Sequence, residues 1–171
     1  MIVPANDQNA VWLDETKIFP ELISNLLAEG HTVKFSAPGD SMYPTIGDGD
    51  IITVAPVNTA CVTIGDIILY RHKSGVTAHR VMRIIERGKE NVSSVFKASH
   101  DGVAAESLQF ILRGDAAVVC DHPIGVDQVL GKVVSVERDG RHMNPYALRA
   151  IICFSARRMA ARFKKSFRFR T

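Results

Sequence analysis

The stretch "DIILYRHKSGVTAHRVMRIIER", residues 66–87, holds two apolar runs separated by "HKSG". Ile, Val, Leu and Tyr dominate both runs, which predicts strands over 66–71 and 76–87. In the second, the two-residue alternation puts Thr77, His79 and Val81 on one face. The same pattern extends in both directions along the chain. It predicts further strands over 32–37 ("TVKFSA"), 50–57 ("DIITVAPV"), 92–98 ("VSSVFKA"), 108–113 ("LQFILR") and 128–137 ("QVLGKVVSVE"). Gly, Pro or Asp separates them, and no crossover helix fits between them. The fold class is therefore mainly β, with mainly antiparallel pairing.

Helical patterning is confined to the ends. "FPELISNLLAEG" (19–30) places Leu22, Ile23, Leu26 and Leu27 on one stripe, with Pro20 suited to a first turn and Gly30 to a stop. Residues 1–17 are weakly patterned. After the break at Asn144-Pro145 the tail again looks helical, with Ala147, Leu148, Ile151, Ile152 and Phe154 followed by Arg157, Arg158, Arg162, Lys164 and Lys165. Three parts are expected: an N-terminal segment over 1–30, a β domain over 31–139 and a basic tail over 140–171.

The totals narrow the class of protein. A chain of 171 residues, 46% hydrophobic, suits one globular domain with a short extension. Cys61, Cys120 and Cys153 are odd in number and lack metal-ligand spacing, so they read as small apolar residues in a reducing compartment. No basic start followed by an apolar run marks a signal peptide, and no run of about 18 apolar residues marks a spanning helix. A cytoplasmic protein is expected. The net charge of +3 is uneven: all 18 acidic residues and 12 of the 21 basic ones lie in 1–139, and the other nine basic residues lie in 140–171. The body thus carries 12 − 18 = −6 and the tail +9, so no nucleic-acid-binding face is expected on the body.

Between two of the predicted strands lies "PGDSMYPTIGDGD" (38–50), which has turn chemistry and one serine, Ser41. A serine hydroxyl becomes a nucleophile only when a base stands within hydrogen-bond reach. Five of the six histidines sit beside turn signals or charged residues; His79 lies inside a strand, where an imidazole would be held rigidly. From the residues alone, His79 fits either a base or a partly buried polar strand residue. A third group would orient the imidazole. Asp115 and Asp121 in "RGDAAVVCDHP" are candidates. Asp115 shares with Asp50 and Asp66 a Gly-Asp pattern before apolar residues, which also fits simple turn closure. Asp121 has no such alternative and is the better orienter. A metal site from His72, His79, His100, Asp101, Asp121 and His122 lacks the close paired spacing of ligands, and no cofactor is expected.

The ordered boxes "GDSMYPTIGDGDIITV", "TIGDIILYR", "TAHRV" and "RGDAAVVCDHPIGVDQVLGKVVSV" resemble the signal peptidase type I superfamily of serine peptidases over about residues 35–137. The histidine in "AHRV" resembles the archaeal and endoplasmic-reticulum branch, where other branches use lysine. The resemblance implies a coiled antiparallel β core. It implies Ser41 as nucleophile and His79 as base, with Asp121 at the branch's catalytic aspartate and Asp115 at the aspartate of its Gly-Asp box. The implied reaction is hydrolysis of a peptide bond after small residues in a leader or precursor peptide. Where that branch has two asparagines after Gly-Asp, this chain has Ala116 and Ala117. Where bacterial relatives carry a helper hydroxyl two residues before the nucleophile, it has Gly39. Signal peptidases also carry an N-terminal membrane anchor, whereas this chain has only the 19–30 helix in that place. Its basic tail, with Phe163, Phe167 and Phe169 interleaved, could instead lie on an anionic membrane surface through 145–171, or pack on the core.

Two other classes are compatible with these boxes. One is a catalytically idle module that binds extended peptides by strand addition. The other is a self-cleaving regulator, which is not expected here. Only about 30 residues precede the β core, fewer than a helix-turn-helix domain needs, and the chain has no Ala-Gly or Cys-Gly dipeptide for such cleavage.

Overall fold

The computed structural model describes residues 4–5, 10–13, 19–72, 75–86 and 108–147. Its centre is β5 (Ile67–His72), the first half of the stretch quoted above, paired antiparallel with β6 (Gly75–Glu86). Alternate residues of β5 enter different cores. Ile67 and Leu69 pack with Ile23, Leu27, Phe35, Ile52, Val133 and Val136, while Ile68 and Tyr70 pack with Val81, Ile84, Phe110 and Leu112. A strand buried on both faces needs a continuous apolar run, which accounts for "IILY" where a half-exposed strand would alternate.

Among the described residues, the remaining strands complete one ten-stranded sheet in the order β1-β2-β3-β4-β9-β5-β6-β7-β8, with β10 on β9. They are β1 (Pro4–Ala5), β2 (Ala10–Leu13), β3 (Thr32–Ala37), β4 (Asp50–Ala55), β7 (Leu108–Arg113), β8 (Ile124–Gly125), β9 (Val129–Arg138) and β10 (Arg141–Met143). All pairs are antiparallel except β2 with β3. The mainly β, mainly antiparallel expectation therefore holds, and the predicted bounds of β3 and β7 match. β9 is a long strap: Lys132–Glu137 pair with β4, while Val129–Lys132 pair with β5. Tyr146 pins this junction, its hydroxyl donating to the Val133 carbonyl at 2.6 Å and accepting from the Ile67 N–H at 3.2 Å. Burial pushes that hydroxyl's pKa up to about 12.

Helix α1 (Phe19–Ala28) buries Ile23 and Leu27 against the first core. It stops where Gly30 takes a left-handed φ of 91° and the His31 N–H turns back to the Leu26 carbonyl at 2.9 Å. Four short strands do not appear in the sequence reading. β1 and β2 lie in the weakly patterned 1–17, and β8 and β10 are two and three residues long. Strands this short leave too few residues for alternation to register, and their pairing is set by the neighbouring strand. The strand expected over 92–98 and the helix expected beyond Ala147 lie outside the described residues. Among the described residues, no helix is long and apolar enough to cross a membrane.

Candidate active site

The loop between β3 and β4 carries Ser41. Gly39 and Gly49 adopt left-handed φ values of 83° and 78°, which let the chain leave β3 and re-enter β4. Between them, Met42 and Ile46 drop into the first core, and the Tyr43–Pro44 peptide is cis. The loop is tied from outside as well. Arg138 donates from Nε and Nη2 to the Asp50 carboxylate, at 2.6 Å for the shortest contact, and from Nη2 to the Pro44 carbonyl at 3.3 Å. Burial alone would raise the Asp50 pKa, but hydrogen bonds from Arg138 and the Gly47 N–H outweigh it and hold the carboxyl below its ordinary value. Asp50 and Asp66 do close turns, each accepting from the backbone N–H three residues before it. Both also carry an ion pair, with Arg138 and Lys132 respectively.

Three of the four sequence-predicted site residues meet. His79 sits on β6 opposite Ile68 of β5, and its Nε2 lies 3.1 Å from Ser41 Oγ. Its Nδ1 lies 2.5 Å from Asp121 Oδ2. A carboxylate can only accept, so Nδ1 is the donor to Asp121, and in the neutral imidazole Nε2 then presents its lone pair to the Ser41 hydroxyl. The imidazole is largely buried, with its side chain 11% exposed against 28% for Asp121. Asp121 stands in the loop after β7, fixed by its own N–H to the Leu112 carbonyl at 2.8 Å.

Asp115 is engaged elsewhere. Its Oδ1 accepts from Arg80 Nε at 2.8 Å, and its Oδ2 accepts from Arg80 Nη2 at 2.7 Å and from Thr45 Oγ1 at 2.5 Å. Arg80 also donates from Nη1 to the Gly65 carbonyl at 2.9 Å. A bidentate, buried guanidinium–carboxylate pair is rigid. This one joins the Ser41 loop, through Thr45, to the strand that carries His79. Asp115 thus holds the site together and does not touch the reacting atoms.

Two contributors are absent from the sequence reading. Gly114 passes so close to Ser41 that a Cβ there would lie 2.4 Å from the Ser41 carbonyl oxygen and 3.1 Å from His79 Nε2. Arg80 follows His79 directly; a charged residue inside an apolar strand, with spare Gly-Asp carboxylates in the chain, was the available signal. Beside Ser41 opens a cavity of about 470 Å³ with a largely apolar lining that includes Phe35, Met42, Ile52, Leu69 and Val76. Ala37–Gly39 form one wall and Gly75–Ala78 another.

The profile of the Peptidase S24-like family matches residues 5–101, more than half of the chain and the part that holds Ser41 and His79. The chain belongs to the Peptidase S24-like family. Comparison with curated proteins finds no match. Membership in this family agrees with the serine-peptidase-like fold implied by the four sequence boxes.

Proposed function

We propose that this Peptidase S24-like protein is a serine endopeptidase of the histidine-base type, hydrolysing a peptide bond in a leader or precursor peptide. The observation that carries the reading is the continuous chain from Ser41 Oγ through the His79 imidazole to Asp121, with spacings of 3.1 Å and 2.5 Å. In this reading His79 Nε2 takes the Ser41 proton as Oγ attacks the scissile carbonyl carbon. Asp121 holds the Nδ1–H and stabilises the imidazolium. His79 then gives its proton to the departing amine nitrogen, which leaves an ester on Ser41. Water, deprotonated by His79, attacks that ester; the acid product leaves and Ser41 regains its proton. Among the described residues the Ser41 N–H has no acceptor, so it is free to donate to the carbonyl oxygen as negative charge develops. Gly39 contributes no hydroxyl, and its own N–H is spent on Asp48 Oδ1 at 2.6 Å.

The surroundings favour an extended peptide. Residues 75–79 of β6 pair with β5 on one edge, and β7 begins to pair only at Arg80. Among the described residues their other edge carries no strand, so a peptide can add there by backbone hydrogen bonds. The tail, with nine basic residues in 140–171, would add attraction to an anionic membrane surface.

The test compares the wild-type protein with Ser41→Ala and His79→Ala on a peptide library, reading products by mass spectrometry. The expected result is cleavage by the wild type only. Cleavage that survives Ser41→Ala would sink the mechanism. Absence of cleavage by all three would favour the idle peptide-binding module, and a Ser41-dependent cut within the chain itself would favour self-cleavage. Sedimentation with anionic vesicles, lost on removal of 145–171, is the outcome expected for the tail.

A further inference from the structure

Asp121 belongs to a loop whose preceding residues are open to solvent: Val118 and Val119 are 79% and 76% exposed. A carboxylate on such a loop would rotate away from the imidazole unless something fixed it. Beside it stands Tyr70, on the strand buried on both faces. Its ring is 5% exposed and packs in the second core, and its hydroxyl donates to Asp121 Oδ2 at 3.1 Å. That is the oxygen that also receives His79 Nδ1. The Tyr70 and His79 rings lie 6.1 Å apart at a tilt of 51°, so one aromatic body borders both the imidazole and its carboxylate.

We infer that Tyr70 is a positioning residue of the site, locking Asp121 to the rigid β5 strand and setting how strongly that carboxylate acts on His79. This inference rests on the proposed Ser41–His79–Asp121 chemistry. Two consequences follow from sharing one oxygen. The phenol keeps Oδ2 aimed at Nδ1, and it draws off part of the negative charge that would otherwise fall on the imidazole. Burial, and then the Asp121 charge, push the Tyr70 pKa well above its ordinary value, so the hydroxyl remains a donor throughout the working range. The other titratable groups facing this cluster are His72, whose ring lies 6.0 Å from that of Tyr70, and His122, exposed beside Asp121. Arg80 turns instead to Asp115.

Tyr70→Phe keeps the ring and removes only the oxygen. It should lower kcat roughly tenfold with little change in KM, a fraction of what a general base contributes. It should also move the NMR resonance of the His79 Nδ1 proton, because more of the Asp121 charge then bears on that hydrogen bond. That resonance is read in the Ser41→Ala background and does not depend on turnover. In an Asp121→Asn background, Tyr70→Phe should add nothing further, since the effect runs through that carboxylate. An unchanged His79 Nδ1 proton resonance, or equal effects of Tyr70→Phe with and without Asp121, would overturn the inference. A wild type that cleaves no peptide would instead count against the proposed function, and the resonance would still decide the role of Tyr70.

Discussion

Gly114→Ala is the most direct perturbation of the site, because the substituted residue takes no part in the chemistry. Gly114 has no left-handed φ, so alanine adds no backbone strain there. Its effect is one methyl group, and that methyl would stand 2.4 Å from the Ser41 carbonyl oxygen and 3.1 Å from His79 Nε2. Real contacts of this kind seldom fall below 3.0 Å, so the Ser41 backbone must retreat by at least 3.0 − 2.4 = 0.6 Å. The same carbonyl accepts from the Ala116 N–H at 2.9 Å, and Met42 and Ile46 anchor the loop in the core, so the retreat strains an already packed region. Forcing a methyl into a packed site costs about 1–3 kcal/mol. For a domain of this size that lowers Tm by several degrees. Misplacing a reacting group by about 1 Å can cost roughly 100-fold in rate. A shift of 0.6 Å or more should therefore lower kcat by at least tenfold. The assay follows labelling of Ser41 by a fluorophosphonate, with thermal unfolding measured in parallel. Wild-type labelling together with an unchanged Tm in Gly114→Ala would refute the close approach on which the reasoning depends.

Three further outcomes are expected. Asp115→Ala removes the carboxylate from a buried ion pair and should destabilise the fold by about 3–5 kcal/mol in urea unfolding; a loss under about 1 kcal/mol would show that the pair does not clamp the loop. Asp50 has its carboxyl pKa lowered in the folded state from 3.8, so its contribution is present above that value and lost as pH falls through the folded one. The stability gap between wild type and Asp50→Asn should accordingly be full at neutral pH and narrow towards pH 3, and a gap that widens on acidification contradicts the assigned direction. Tyr146→Phe leaves the Val133 carbonyl without its 2.6 Å donor. It should cost about 1–3 kcal/mol, with Tm as the readout.

The parts of this fold that were legible in the sequence are those whose signal is local. β3 and β7 alternate over six residues, and β5 opens with four consecutive buried residues, Ile67 to Tyr70, because two cores need them. Ser41 and His79 could be singled out because one stands in a turn and the other interrupts a strand. What stayed hidden depends on partners far along the chain. The requirement for glycine at Gly114 comes from the carbonyl of Ser41, and nothing near Gly114 announces it. Asp50, Asp66 and Asp115 look alike in sequence, yet the first two close turns while the third holds Arg80. Tyr70 reads as one more apolar strand residue until Asp121 is placed against its hydroxyl.

These hidden ties also explain how Ser41, His79 and Asp121, from separate segments, keep one geometry. β6 carries His79 on one face and Arg80 on the other, since neighbours along a strand point to opposite sides. Arg80 holds Asp115, and Asp115 holds Thr45 of the Ser41 loop, so a shift of β6 draws Ser41 along with His79. Asp121 is referenced to the two strands that flank β6, to β7 through the Leu112 carbonyl and to β5 through Tyr70. Each of the three side chains is therefore fixed relative to β6 or its immediate neighbours, and none relies on its own loop alone. A substitution on the outer strands β1 or β8 should then disturb stability before it disturbs the distance between Ser41 and His79. One at Arg80 should disturb both together.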